Sequence, residues 1–115
     1  MFGGEMNNLN SILIEGIIQN NAIDISKNNI PVSVFTIASE HSSCAKGLTV
    51  KDVLFIEIEA EEKLAEIALQ KAIIGSACRV VGRLKLYRSG KGKSQKSRYV
   101  ISAEHIEYRP YTKGI

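Results

Sequence analysis

The sequence predicts an all-β fold, a five-stranded Greek-key barrel with one α-helix between the third and fourth strands. Three observations carry this. Five segments alternate apolar and polar residues, as half-buried strands do. One segment has helical spacing with start and stop signals. A glycine, Gly16, stands in mid-strand, where a barrel strand must bend.

The first strand is "SILIEGIIQ" from Ser11, followed by a polar Asn/Asp-rich turn over residues 20–29. The second, "VSVFTIAS", begins at Val32 after Pro31. The third, "VLFIEIEA" from Val53, places Leu54, Ile56 and Ile58 inward and Phe55, Glu57 and Glu59 outward. Then comes "EEKLAEIALQKAIIG", with Leu64, Ile67, Ala68 and Ile74 at helical spacing, acids at its start and Gly75 at its end. These signals predict an amphipathic helix of about fourteen residues. In the fourth strand, "ACRVVGRLKLY" from Ala77, the inward face is Cys78, Val80, Gly82, Leu84 and Leu86. Its outer face is Arg79, Val81, Arg83, Lys85 and Tyr87. One outer face is therefore basic and another acidic. The last strand, "RYVISAEHIEYR" from Arg98, changes phase after Ala103, which predicts a bulge near Glu104. Tyr99 and Tyr108 read as core or interface residues with their hydroxyls at the surface. Five strands with a helix in this position describe an OB-fold, a barrel that often binds oligonucleotides or oligosaccharides.

A chain of 115 residues is one domain by length, able to bury about 60–70% of its unfolded surface. Cys44 and Cys78 lack a recognisable zinc spacing and read as reduced thiols of a cytoplasmic protein. The apolar runs are short and the first ten residues lack the pattern of a signal peptide, so neither secretion nor a membrane is expected. Glu57, Glu59, Glu61 and Glu62 have no accompanying ligand residue, and no metal, cofactor or catalytic site is expected.

Net charge is only +3, but its distribution is uneven. From Ile67 to Ala103 there is no acid, and Lys71, Arg79, Arg83, Lys85, Arg88, Lys91, Lys93, Lys96 and Arg98 all fall there. Such a block attracts polyanions; its plainer reading is a solvated loop. Phosphate contact is the expectation for Arg83, Lys85, Arg88, Lys91, Lys93, Lys96 and Arg98. The triplet Gly92-Lys93-Ser94 looks like the end of a P-loop. That motif requires glycine where Tyr87 stands and a helix where "RYVI" signals a strand, so the motif fails.

The segments "NSILIEGIIQN", "PVSVFTIASE", "EKLAEIA" and "RVVGRLKLYRS", in this order and spacing, resemble the bacterial single-stranded DNA-binding protein family over about residues 8–109. The most specific part is "KLAE" followed by V-x-G-x-L. The resemblance implies a non-enzymatic OB-fold that coats single-stranded DNA during replication, recombination and repair. It also implies a homotetramer, cytoplasmic and associated with the nucleoid. The domain then spans residues 6–109, with a leader or alternative start at 1–5 and a short extension at 110–115.

Single-strand binding of this kind combines a positive groove with aromatic platforms for bases. By the resemblance, the family's four platforms fall on His41, Phe55, Glu61 and Ser89. Phe55 stays aromatic, His41 stacks weakly, and the other two are lost. Tyr87 shares the parity of Ser89 and is a candidate replacement. The expected nucleic-acid contacts are therefore Phe55, Tyr87 and His41 with Arg79 and the seven basic residues above. The closing "YRPYTKGI" lacks the family's acidic tip, so partners recruited through a tail are not expected. A second reading remains, an oligomeric OB-fold scaffold or replication-restart subunit with weak DNA binding. An enzyme is supported by "GKS" alone.

Overall fold

The computed structural model describes residues 7–110, so the expected leader and all of the expected extension except Pro110 lie outside the described residues. In chain order the elements are β1 (Ile12–Ile18), β2 (Ile23–Asp24), β3 (Val32–Ala45), β4 (Leu48–Glu61), α1 (Lys63–Lys71), β5 (Ala77–Ser89) and β6 (Lys96–Arg109). One sheet runs β1-β5-β6-β4-β3-β2, and β1 also pairs with β3, closing the five long strands into a barrel. The fold is the expected OB-fold. Among the described residues no helix is long and apolar enough to cross a membrane.

Inward parity explains the core. Ile18, Phe35, Ile37, Ile58, Ala60, Cys78, Val80, Ile101 and Ile106 are buried together with Ala65 and Ala68 of α1 and Ala72 just past its end. The small helix residues let α1 plug one end of the barrel, where the Ser33 hydroxyl donates to the Ala65 carbonyl at 3.2 Å. Gly16 and Gly82 are sites of close approach. A Cβ at Gly16 would lie 2.6 Å from the Ala38 carbonyl oxygen, and one at Gly82 would lie 2.2 Å from that of Ser102. The bulge near Glu104 is present. Val81 pairs with His105 and Gly82 with Ala103, leaving Glu104 unmatched.

Several expectations are corrected. The helix has nine residues rather than about fourteen. Beyond Lys71, tertiary hydrogen bonds claim the backbone: Ala22 N–H donates to the Ala72 carbonyl, Ile74 N–H to the Asn21 side chain, and Gly75 N–H to the Ile18 carbonyl. The supposed polar turn at 20–29 contains β2 and a tight reversal bridging Lys27 and Ile30, with Asn28 and Asn29 at positive φ. The second and third strands do not stop at Ser39 and start at Val53. They run on as a paired ribbon to a turn at Lys46-Gly47, both at positive φ. The Tyr108 hydroxyl is not at the surface; it is buried without a hydrogen-bond partner, its ring 6.4 Å from Phe35. Burial raises its pKa, and the nearby Cys78 adds to this.

Candidate nucleic-acid interface

The outer face of β5, β6 and β4 brings the basic and acidic strands together. Across β5 and β6, Arg83 faces Ser102, Lys85 faces Val100, Tyr87 faces Arg98 and Ser89 faces Lys96. Across β6 and β4, which run parallel, Val100 faces Glu57 and Ser102 faces Glu59. The expectation of separate basic and acidic faces is thus corrected: β6 separates the two strands by only one position.

Their side chains meet over β6. The Tyr87 hydroxyl lies 2.7 Å from Oε2 and 2.9 Å from Oε1 of Glu59, and Lys85 Nζ lies 3.3 Å from Oε1. Lys85 also donates to the Tyr87 hydroxyl at 3.0 Å. Glu59, outward by parity, is only 4% exposed under this cover. A carboxylate can be buried there because two donors compensate its lost hydration. Val100, on the same outer face and outside the main core cluster, is fully buried beside it. The hydrogen bond to Tyr87 holds the Lys85 ammonium above its usual pKa, partial burial opposes this, and the charge of Glu59 adds to it.

Arg98 completes the cluster. Its Cζ sits 5.1 Å from the Tyr87 ring centroid, within cation–π range, and its Nε lies 3.5 Å from Glu57. Tyr87 and Arg98 line two adjoining recesses. One, of ≈ 250 Å³, continues to Ser89, Lys96 and Ser97. The other, of ≈ 240 Å³, continues past Glu59 and Glu61 to Ile25, Lys27 and Val32. Together they form a groove across the sheet.

Phe55 lies on β4 opposite Ala38, with the parity of Glu57 and Glu59, and is 63% exposed. The expected cations divide into groups. Arg83, Arg88, Lys91, Lys93 and Lys96 form no ion pair among the described residues, whereas Lys85 and Arg98 are paired with the acids beneath. Arg79 is not brought to this group. It sits near the other end of β5, bound to Glu15 at 3.2 Å, which also binds Arg109 at 3.1 Å. Nor is His41 on the face of Phe55. It pairs with Asp52 and has the parity of Phe35 and Ile37.

The turn from β5 to β6 is shorter than expected, residues 90–95, and contains a single 3-10 turn, Gly92–Ser94. The Ser94 hydroxyl donates to the Lys91 carbonyl at 2.8 Å. The triplet therefore serves the turn and leads into a strand, without the helix that a P-loop needs. Lys91 and Lys93 project from this tip with Lys96 at the start of β6.

Sequence reasoning missed Glu59 as a buried member of this face and Ile25, Lys27 and Val32 as its rim. Tyr87 and Glu59 are 28 positions apart, and no local pattern links them.

A family model described as the single-strand binding protein family matches residues 9–108. No curated protein matches the sequence significantly. Similar solved structures include a small single-stranded DNA-binding protein from Streptomyces coelicolor, 22% identical with a TM-score of 0.73, covering 90% of this chain and 96% of that one. The Plasmodium falciparum SSB in complex with ssDNA is 14% identical with a TM-score of 0.81, covering 93% and 100%. A deletion mutant of the Thermus aquaticus single-stranded DNA-binding protein is 17% identical with a TM-score of 0.77, covering 89% and 51%.

Proposed function

The chain belongs to the single-strand binding protein family, and from that premise we propose that it binds single-stranded DNA along the outer face of β4, β6 and β5. It does so without enzymatic chemistry, protecting strands exposed in replication, recombination and repair within the cytoplasmic nucleoid. The observation that carries this placement is one outer face on which Arg83 and Lys96, without ion pairs among the described residues, share strand parity with Tyr87 and with an exposed Phe55. Arg83 and Lys96 on this face, with Lys91 and Lys93 of the turn, serve the phosphates, and Phe55 stacks a base; Arg88 has the parity of Leu84 and Leu86 on the other side of β5. Tyr87 supplies a second platform, through Arg98 or after Arg98 moves aside. Arg79 and His41 belong at most to the margin of this path.

The assembly is a homotetramer in this reading. β1 pairs with β5 from Ile12 to Ile17 but meets β3 only at Ile17 and Ile18, so much of one edge is unpaired among the described residues. Leu13 on that strand is 68% exposed. An apolar strand with a free edge fits a second copy. Light scattering should give four chains at micromolar concentration, and a monomer would contradict the assembly.

The weaker-binding scaffold reading has one observation in its favour: the Tyr87 ring is already covered by Arg98. Anisotropy of labelled oligo-dT and of a duplex of equal length, each at two salt concentrations, separates the readings. Preferential, salt-sensitive binding of oligo-dT is expected. Equal and weak binding of both would favour the scaffold.

A further inference from the structure

Tyr87 and Arg98 are walls of both recesses on the outer face, and the remaining walls differ in charge. The recess of ≈ 250 Å³ is completed by Ser89, Lys96 and Ser97 and has no acid in its lining. That of ≈ 240 Å³ is completed by Ile25, Lys27, Val32, Glu59 and Glu61. A phosphate is therefore favoured in the first and disfavoured beside the two acids of the second.

The shared pair is in contact. Arg98 Cζ lies over the Tyr87 ring, 5.1 Å from its centroid. Lys85 Nζ is 5.0 Å from the same centroid but only 3.0 Å from the hydroxyl, so it sits at the hydroxyl end and leaves the ring face to Arg98. The ring itself is anchored, because Glu59 accepts from its hydroxyl.

Arg98 is held far less firmly. Its one ion pair among the described residues joins Nε to Glu57 at 3.5 Å, with the two side chains 54% and 36% exposed. Exposed pairs of this kind contribute little. A cation over an aromatic ring at an exposed site favours that arrangement only about two- to fivefold. A base stacked on the same ring favours binding by about five- to 150-fold. Leaving the ring also frees a guanidinium whose terminal nitrogens have no ion pair among the described residues and match the oxygens of a phosphate. Glu57 is exposed enough to be hydrated once released.

We propose that Arg98 is an exchangeable cover. When single-stranded DNA binds, its guanidinium leaves the Tyr87 ring for a phosphate in the recess of Ser89 and Lys96, and a base takes its place on the ring. The proposal rests on the reading of this face as the path of single-stranded DNA, and it decides how Tyr87 serves there. Tyr87 is positioned beforehand by Glu59; Arg98 is the part that moves.

The test uses the whole chain with oligo-dT carrying iododeoxyuridine, irradiated and analysed by mass spectrometry for the rings that become linked to bases. Tyr87 should be linked in the wild type and also in Arg98→Gln. The salt slope of oligo-dT binding should become shallower by about 0.7 in Arg98→Gln, the loss of one phosphate contact. Arg98→Lys keeps the charge and should keep the wild-type slope. Linkage of Tyr87 in Arg98→Gln but not in the wild type would show that Arg98 stays on the ring, and an unchanged slope in Arg98→Gln would show that it reaches no phosphate. Either result overturns the exchange. Linkage at Phe55 with none at Tyr87 in both proteins would overturn it too and leave the DNA path standing. No linkage at either ring would overturn both.

Discussion

The Tyr87 hydroxyl bonds the Glu59 carboxylate across β6, 2.7 Å from one oxygen and 2.9 Å from the other. This contact fixes an acid inside a basic surface and ties down the ring best placed to replace a lost platform. It also orders Lys85, which touches both partners. The outer face is therefore partly neutralised at its centre, and the cations without ion pairs among the described residues lie away from that centre.

Tyr87→Phe removes one of the two donors to a nearly buried carboxylate and leaves the ring in place. It should destabilise the fold by roughly 1–3 kcal/mol, the cost of an under-satisfied buried polar group. Urea unfolding measures this, and an unchanged midpoint would mean that Lys85 alone satisfies Glu59.

The barrel is legible in the sequence because its signals are local. Strand alternation, the mid-strand Gly16 and the phase change at Glu104 each reflect burial that the chain imposes on its near neighbours. The ribbon from Ser39 to Val53 is not, because outside the barrel both of its faces meet solvent and no apolar alternation is required. The end of α1 is hidden for a different reason. Ile73 and Ile74 continue an apolar pattern, but hydrogen bonds to Ile18, Asn21 and Ala22 hold the backbone around them otherwise. The burial of Glu59 comes from side chains two strands away, whereas parity alone assigns it to solvent.

Gly82→Ala places a methyl group 2.2 Å from the Ser102 carbonyl oxygen. Backbone on the neighbouring strand must move, next to the bulge that sets the register of β6. A loss of about 1–3 kcal/mol or more is expected from such overpacking. Thermal unfolding checks it, and a neutral outcome would mean that the strands separate freely there.

Stability should fall in alkali. Burial raises the Cys78 thiol to about 11 from an ordinary 9.0, and Tyr108 and Lys85 are raised as well. Each folded-state pKa exceeds its unfolded value, so the folded chain binds more protons and stability decreases as pH rises. The contribution of Cys78 is complete below pH 9.0 and is lost on approach to about 11. Urea midpoints measured across that window should decline, and less steeply in Cys78→Ala despite its lower starting stability. A flat wild-type profile would contradict this.

Glu61 ends β4 exposed, without an ion pair among the described residues, and lines the recess beside Tyr87. Glu57 and Glu59 are already paired with cations, so Glu61 carries the unbalanced charge. Glu61→Trp should tighten oligo-dT binding by roughly 1–3 kcal/mol through a new stack. Glu61→Gln, which only relieves repulsion, should give the smaller part. If neither variant changes the titration, the strand does not cross this end of β4.

The salt dependence of oligo-dT binding tests the proposed DNA path most directly. Phosphates meet the β5–β6 turn on this path while a base stacks on Phe55, so the two contributions separate. Neutralising Lys91, Lys93 and Lys96 together with Gln should make the log–log salt slope shallower by about 2, at roughly 0.7 for each phosphate contact to a single strand. Phe55→Ala should weaken binding by about 1–3 kcal/mol and leave the slope close to that of the wild type. An unchanged slope in the triple lysine variant, with unchanged affinity in Phe55→Ala, would show that DNA does not bind on this face.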